Sequence, residues 1–158
     1  MQFRIRNATS QDVDLAVDFF NKLQKYHQEL NPAMWTLNPD ANETFRKHFL
    51  KELKSEAHFA RLAFDSNDIV AGILLAEIQQ NIPIVKPSQF GYITDLFVDQ
   101  NYRRQGLAEQ LLEDISKIFR AHNISEIRLQ VDAKNLQGLS FYQKHDFEII
   151  THKMQLKL

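Results

Sequence analysis

The run Tyr102-Arg103-Arg104-Gln105-Gly106-Leu107-Ala108 places two arginines and a glycine immediately before apolar residues at helical spacing. Leu107, Ala108, Leu111, Leu112, Ile115, Ile118 and Phe119 recur at steps of one, three and four, so a helix should start near Gln105 or Gly106. The first N–H groups of a helix have no intrahelical acceptor. With the dipole behind them and guanidinium groups alongside, they suit a phosphate. A plain surface turn with two solvated arginines is the competing reading.

Three further groups could take part in chemistry. Asp95 is the only carboxylate in the apolar run at 90–98, Tyr142 offers a phenol, and Asn135 offers an amide where a short helix should begin. Each also has a structural reading: a hydrogen-bonding aspartate, a half-buried core tyrosine, an N-cap asparagine. The six histidines (27, 48, 58, 122, 145 and 152) show no HExxH-type spacing, and the chain has no cysteine. Thiol catalysis and disulfides are therefore excluded, and the histidines are expected to be surface or core-edge residues, with no metal.

These residues need positioning elements, and periodicity supplies them. Phe3 and Ile5 alternate with arginines as a short strand. Thr9 and Asp12 fit a capping box, and Val13, Ala16, Phe19, Phe20, Leu23, Tyr26, His27 and Leu30 form a helix of about five turns, stopped by Asn31-Pro32. Residues 31–42 hold two prolines and the only tryptophan. Met34 and Trp35 either fold back onto the core, the default reading, or line a pocket. A helix at 43–53 carries Phe45, Phe49, Leu50 and Leu53 on one face. Strands follow at 59–64 and 69–78 around the turn residues 65–68, then the strand ending at Val98 before Asp99-Gln100-Asn101.

By simple alternation Ile93, Asp95 and Phe97 share one face of that strand, and Tyr92, Thr94, Leu96 and Val98 the other. After the central helix, Ile127, Leu129 and Val131 alternate as a strand, 135–145 makes a short helix, and 147–150 and 151–158 read as closing strands. The order is βααβββαβαββ, an α/β (α+β) chain in one domain spanning 1–158.

Two segments carry a family resemblance. Tyr102 to Ala108 resembles the [QR]xxGx[GA] acetyl-CoA signature of the GNAT N-acetyltransferases, and Asn135-Leu136-Gln137-Gly138-Leu139-Ser140-Phe141-Tyr142-Gln143-Lys144-His145-Asp146-Phe147 resembles their second signature. The resemblance is strong over 90–147 and loose over the whole chain. It implies a mixed, twisted sheet flanked by about four helices, whose fourth and fifth strands splay apart around the cofactor.

By the same resemblance, the backbone of Leu96, Phe97 and Val98 would pair with the pantetheine arm of acetyl-CoA. Arg103, Arg104, Gln105, Gly106, Leu107 and Ala108 would hold the pyrophosphate, Asn135 would bond near the pantetheine, and Tyr142 would lie near the thioester sulfur as the acid. Asp95 is the one strand carboxylate that could act as base, although family members place a glutamate on the face carrying Tyr92 and Thr94; Glu77 and a water relay are the alternatives. Two residues depart from the pattern. Gly138 stands where alanine is usual, and Asp146 where glycine precedes Phe147.

The implied function is transfer of an acetyl group from acetyl-CoA to a primary amine of a small molecule or protein, by direct attack in a ternary complex. A non-catalytic acetyl-CoA-binding regulatory module is the alternative. A net charge of -1 and a pI near 6.6 give no basic field for nucleic acid or anionic membrane. No apolar run approaches a membrane span and no secretory signal opens the chain, so a cytoplasmic protein is expected, with a homodimer left open.

Overall fold

The structure, a computed structural model, describes residues 3–158. Five strands form one sheet in the order β1-β2-β3-β4-β5: β1 Arg4–Asn7, β2 His58–Phe64, β3 Val70–Gln80, β4 Gln89–Val98 and β5 Ile127–Leu129. The first four run antiparallel to their neighbours and β5 is parallel to β4, so the sheet is mixed. Helices α1 Val13–Leu30 and α2 Ala41–Glu52 cover one face, and α3 Leu107–Ala121 covers the other. A short α4, Leu136–Lys144, follows β5.

Each face has its own core. Ala16, Phe19, Leu23 and Phe49 of the two N-terminal helices meet Leu62, Phe64, Ile73 and Phe97 of the sheet. Leu107, Leu111, Leu112, Ile115 and Phe119 of α3 meet Ala63, Leu74, Ala76 and Ile93 on the reverse side. Phe49 and Phe119 are almost completely buried, and burial of such a side chain contributes about 1.5–3 kcal/mol.

Local chemistry sets the helix starts. Ahead of α1 the Thr9 N–H donates to Asp12 Oδ2 at 2.7 Å, and both Asp12 oxygens accept from the Arg6 guanidinium at 2.8 Å. The Arg6 bonds, aided by those from Thr9, hold the buried Asp12 carboxyl well below the usual carboxylate range. Ahead of α3, Gly106 adopts φ +78°, a left-handed conformation that side-chain-bearing residues rarely take. Gly91 serves a packing need, because a Cβ there would stand 2.5 Å from the Phe119 ring.

Two expectations need correction. Residues 147–158 form no strand, although Met154, Leu156 and Leu158 alternate with polar residues. Phe147 is anchored, its N–H donating to Tyr142 O at 3.1 Å, but the residues after it are exposed. Alternation expresses compatibility with a pleated surface, and without a paired edge it makes no ladder. The second correction concerns the faces of β4, where one extra residue interrupts the pairing with β3. Leu75 pairs with Asp95 but Ala76 pairs with Ile93, leaving Thr94 as a bulge.

Candidate active site

Beyond the bulge every side chain of β4 changes face. Ile93 belongs to the α3-side core and Phe97 to the α1-side core, so they do not share a face as alternation implies. Tyr92 pairs with Glu77, Asp95 with Leu75 and Phe97 with Ile73, which places Tyr92, Asp95 and Phe97 together on the side of α1 and α2. The carboxylate of Asp95 thus stands on the same face as Tyr92.

The two parallel strands soon part. β4 and β5 pair at Gly91 with Ile127, Tyr92 with Arg128 and Ile93 with Leu129; β5 ends there while β4 runs on to Val98. A cleft of about 580 Å³ opens between them. Its walls include Leu96, Phe97 and Val98 from β4, Gln130 and Asp132 beyond β5, and Asn135 and Tyr142 at α4. On the β5 side, the backbone of residues 95–98 has no ladder partner among the described residues, so an extended chain of amides could pair there.

At the wide end of the cleft lies the α3 N-terminus. Arg103, Arg104, Gly106, Leu107 and Ala108 all line the cleft. Gln110 N–H makes the first bond back to Gly106 O, and among the described residues no acceptor takes the N–H groups of 104–109. Arg104 joins Gly106 in the left-handed region, with φ +59°. Arg103 donates from Nε to Val98 O at 3.2 Å, with its guanidinium 5.7 Å from the Phe97 ring centre and 5.9 Å from that of Tyr26. This is a ring of donors and positive charge suited to a phosphate. Gln105 is not on the wall, since its side chain donates away from it to Asn101 O at 3.0 Å.

At α4, Asn135 has the structural role open to it in the sequence. Its Oδ1 accepts from Gly138 N–H at 2.8 Å as an N-cap and from the Tyr26 hydroxyl at 3.0 Å. The asparagine also accounts for Gly138, where a Cβ would come within 2.7 Å of its amide. Asp146 takes φ +63° beyond the C-terminus of α4, the conformation for which glycine is expected there. Burial pushes the Tyr142 phenol well above its ordinary value, and the charge of Asp95 adds to the shift. Tyr142 therefore keeps its proton across the neutral range. Burial likewise raises the Asp95 carboxyl, with Glu52 reinforcing and the Thr94 hydrogen bond opposing.

Several cleft residues escape a reading by periodicity. Met34 and Trp35, whose default placement is the core, line the cleft instead. Trp35 stacks on His27 at 4.2 Å between ring centres and donates from Nε1 to Asp132 Oδ2 at 3.1 Å, while Asn31 Nδ2 donates to the same oxygen at 2.9 Å. Burial pushes Asp132 up, but the bonds from Lys134 N–H, Asn31 and Trp35 outweigh it and hold the carboxyl low. His27 is pushed down by burial, against the pull of Asp132, which favours its neutral imidazole form. Tyr26 and His27 sit on the stripe of α1 that reads as core; their polar atoms are the only signal of another role.

His58 is a half-buried histidine at the edge of the core, in contact with two carboxylates. Its Nε2 lies 2.7 Å from Glu77 Oε2 and 3.2 Å from Glu52 Oε1, and Glu52 Oε1 is 2.7 Å from His48 Nε2. The spacing of histidines along the chain carries no sign of this cluster, because α2, β2 and β3 bring it together.

The sheet parting at β4, the donor-rich glycine turn and the phenol opposite a strand carboxylate agree with the sequence comparison. The model of the acetyltransferase (GNAT) family matches residues 18–147. The chain belongs to this family. It is an N-acetyltransferase, and its chemistry is acetyl transfer. The GNAT enzyme is 27% identical to an N-alpha-acetyltransferase of Saccharolobus solfataricus over 151 residues, 92% of this chain and 80% of that one. In structure it is similar to a tetramutant of the BH1408 protein of Bacillus halodurans, with TM-score 0.88, 22% identity and coverage of 98% and 99% of the two chains. A predicted acetyltransferase of Clostridium acetobutylicum with acetyl-CoA aligns at TM-score 0.79 and 20% identity over 99% and 96%. At these identities the structural likenesses speak for the GNAT fold. Among the described residues of the enzyme, no helix is long and apolar enough to cross a membrane.

Proposed function

We propose that this GNAT enzyme takes acetyl-CoA as donor and transfers its acetyl group directly to a primary amine, of a small molecule or a protein, held beside it in the cleft. The observation that carries the reading is the meeting of Asp95 and Tyr142 on one cleft whose far end is the donor-rich α3 N-terminus. The α3 turn, with Arg103 and Arg104, would hold the pyrophosphate. The backbone of Leu96, Phe97 and Val98, without a ladder partner on its β5 side, would bind the amide-bearing pantetheine arm as an added strand.

An alkylamine with a pKa near 10.4 is neutral in only about one molecule in a few thousand at pH 7, a cost of about 4.6 kcal/mol. Asp95 is the proposed base that removes this proton, and burial, by raising its pKa, makes it a stronger base than an exposed aspartate. The amine nitrogen then attacks the thioester carbonyl, and a backbone N–H of β4 at the bulge stabilises the oxyanion. As the C–S bond breaks, Tyr142 gives its proton to the leaving thiolate, for which a phenol held protonated is well fitted, and the remaining surplus proton on the former amine nitrogen returns Tyr142 to its phenol form. No metal is invoked in these steps.

The apolar and aromatic wall formed by Met34, Trp35 and His27 is the proposed acceptor side. The N-alpha-acetyltransferase relative supports a polypeptide amino group as one acceptor class. Acetyl-CoA should raise the melting temperature, whereas ATP and NAD should not. A chain that melts identically with and without saturating acetyl-CoA would exclude the donor assignment.

A further inference from the structure

Helix α1 lays Leu23, Gln24, Tyr26 and His27 against the cleft. Leu23 belongs to the α1-side core. Gln24 is a carboxamide only 7% exposed, and its buried Oε1 meets no hydrogen-bond donor among the described residues. A leucine or methionine would fill the same wall without the penalty of a buried, unpaired polar group. At i+3, on the same side of the helix, His27 Nδ1 is likewise buried and without a partner. Two orphaned polar groups side by side on the wall of a binding cleft call for a ligand that brings the missing partner.

Helix geometry fixes which part of the ligand they face. At about 100° per residue, Tyr26, Leu23, His27 and Gln24 follow one another round α1 in that order, with Gln24 about 160° from Tyr26. Tyr26 is turned to α4, where its hydroxyl bonds Asn135, and to the Arg103 guanidinium. Gln24 thus lies beyond His27 from the groups that would hold acetyl-CoA, and His27 stacks on Trp35 of the acceptor wall. The charges of the cleft narrow the ligand further. Its carboxylates are Asp95, Glu109 and Asp132. Asp132 already accepts from Lys134 N–H, Asn31 and Trp35, and Glu109 stands in the first turn of α3, at the phosphate end. Among the described residues only Asp95, the proposed base, is left for a cation, so a polyamine would find no second carboxylate. A carboxamide suits instead a neutral unit that carries an N–H, a peptide amide.

We propose that Gln24 selects the acceptor: its Oε1 accepts a hydrogen bond from the first peptide N–H of a polypeptide whose α-amine lies at Asp95 and whose first side chain packs on Met34 and Trp35. The inference rests on the acetyl-transfer reading of the cleft. The last torsion of a glutamine is broad and roughly two-fold, so the carboxamide can turn its oxygen to the ligand. Binding then removes a destabilising orphan that the free enzyme carries, whereas an amine without an adjoining N–H leaves it in place. A site built around a hydrogen bond discriminates strongly against the analogue that lacks it.

The test is thiol release by the full chain with the tripeptide Leu-Ala-Ala and with its depsipeptide analogue, in which an ester oxygen replaces the first peptide N–H and the α-amine is kept. Expected is a kcat/KM for the tripeptide at least about tenfold above that of the depsipeptide. In Gln24→Leu the two substrates should become equal, with the KM for acetyl-CoA unchanged and a melting temperature at or above that of the wild type, since the orphaned amide is gone. Equal kcat/KM values in the wild type, which need no variant to measure, would overturn the proposal, as would spermidine turning over faster than the tripeptide. So would a preference that survives in Gln24→Leu, a raised KM for acetyl-CoA there, which gives the amide to the donor, or a lowered melting temperature, which makes it structural. Thiol release without a preference for the amide removes the Gln24 role alone; no thiol release with any amine removes the acetyl-transfer reading and this inference with it.

Discussion

The Tyr26 hydroxyl donates to Asn135 Oδ1 at 3.0 Å, joining the last turns of α1 to the first turn of α4 across the cleft. The same oxygen caps α4 through Gly138 N–H, so one side chain both starts the helix that carries Tyr142 and ties it to the opposite wall.

Asn135→Ala should therefore cost about 1 kcal/mol for the lost cap, with a further small loss from the orphaned Tyr26 hydroxyl. Tyr26→Phe should cost less, because the cap survives. Thermal or urea unfolding of the two variants checks the order, and a Tyr26→Phe loss exceeding that of Asn135→Ala would contradict this division of labour.

Asp95 gives a pH-dependent expectation of opposite sign for stability and activity. Burial raises its pKa in the folded chain above the unfolded value near 3.9, so the folded state holds the proton more tightly and ionisation at neutral pH lowers stability. Asp95→Asn should melt higher than the wild type at pH 7–8, with the advantage fading as pH falls through the folded pKa toward about pH 4. Turnover should drop by about a hundredfold or more. Paired melting curves across this pH range test the sign.

Two backbone positions should respond in opposite directions. Gly91→Ala drives a Cβ into the Phe119 ring and should destabilise by about 1–3 kcal/mol as the α3-side core shifts. Asp146→Gly relieves a left-handed residue at φ +63° and should stabilise by up to about 1 kcal/mol, despite the greater freedom of glycine in the unfolded chain. Denaturant titrations measure both, and a stabilised Gly91→Ala would refute the packing account of that glycine.

Periodicity and turn chemistry make α1, α2, α3 and the order of the first five strands legible in the sequence, because each is written in consecutive residues. The start of α3 just after Gly106 and the capping pair Thr9 and Asp12 follow from local rules of the same kind. What escapes such rules is set by pairing across the chain. The bulge at Thr94 is a property of the β3–β4 register, and alternation along β4 alone assigns Asp95 a face shared with Ile93 instead of Tyr92. His58 gains its two carboxylates only through the β2–β3 ladder and the end of α2. Met34 and Trp35 read as core by hydrophobicity, yet Asp132 and His27 hold the tryptophan at the cleft. Gln105 lies within the signature segment but turns away from the cleft, a side-chain choice that a motif does not encode.

The central claim is acetyl transfer at the cleft with Tyr142 as the acid, and thiol release from acetyl-CoA with a panel of amines tests it most directly when wild type and Tyr142→Phe are run side by side. The expected result is amine-dependent thiol release by the wild type and a kcat lower by about a hundredfold in Tyr142→Phe, with little change in affinity for acetyl-CoA. An unchanged kcat in Tyr142→Phe, or a wild type that binds acetyl-CoA yet releases no thiol with any amine, would contradict the account.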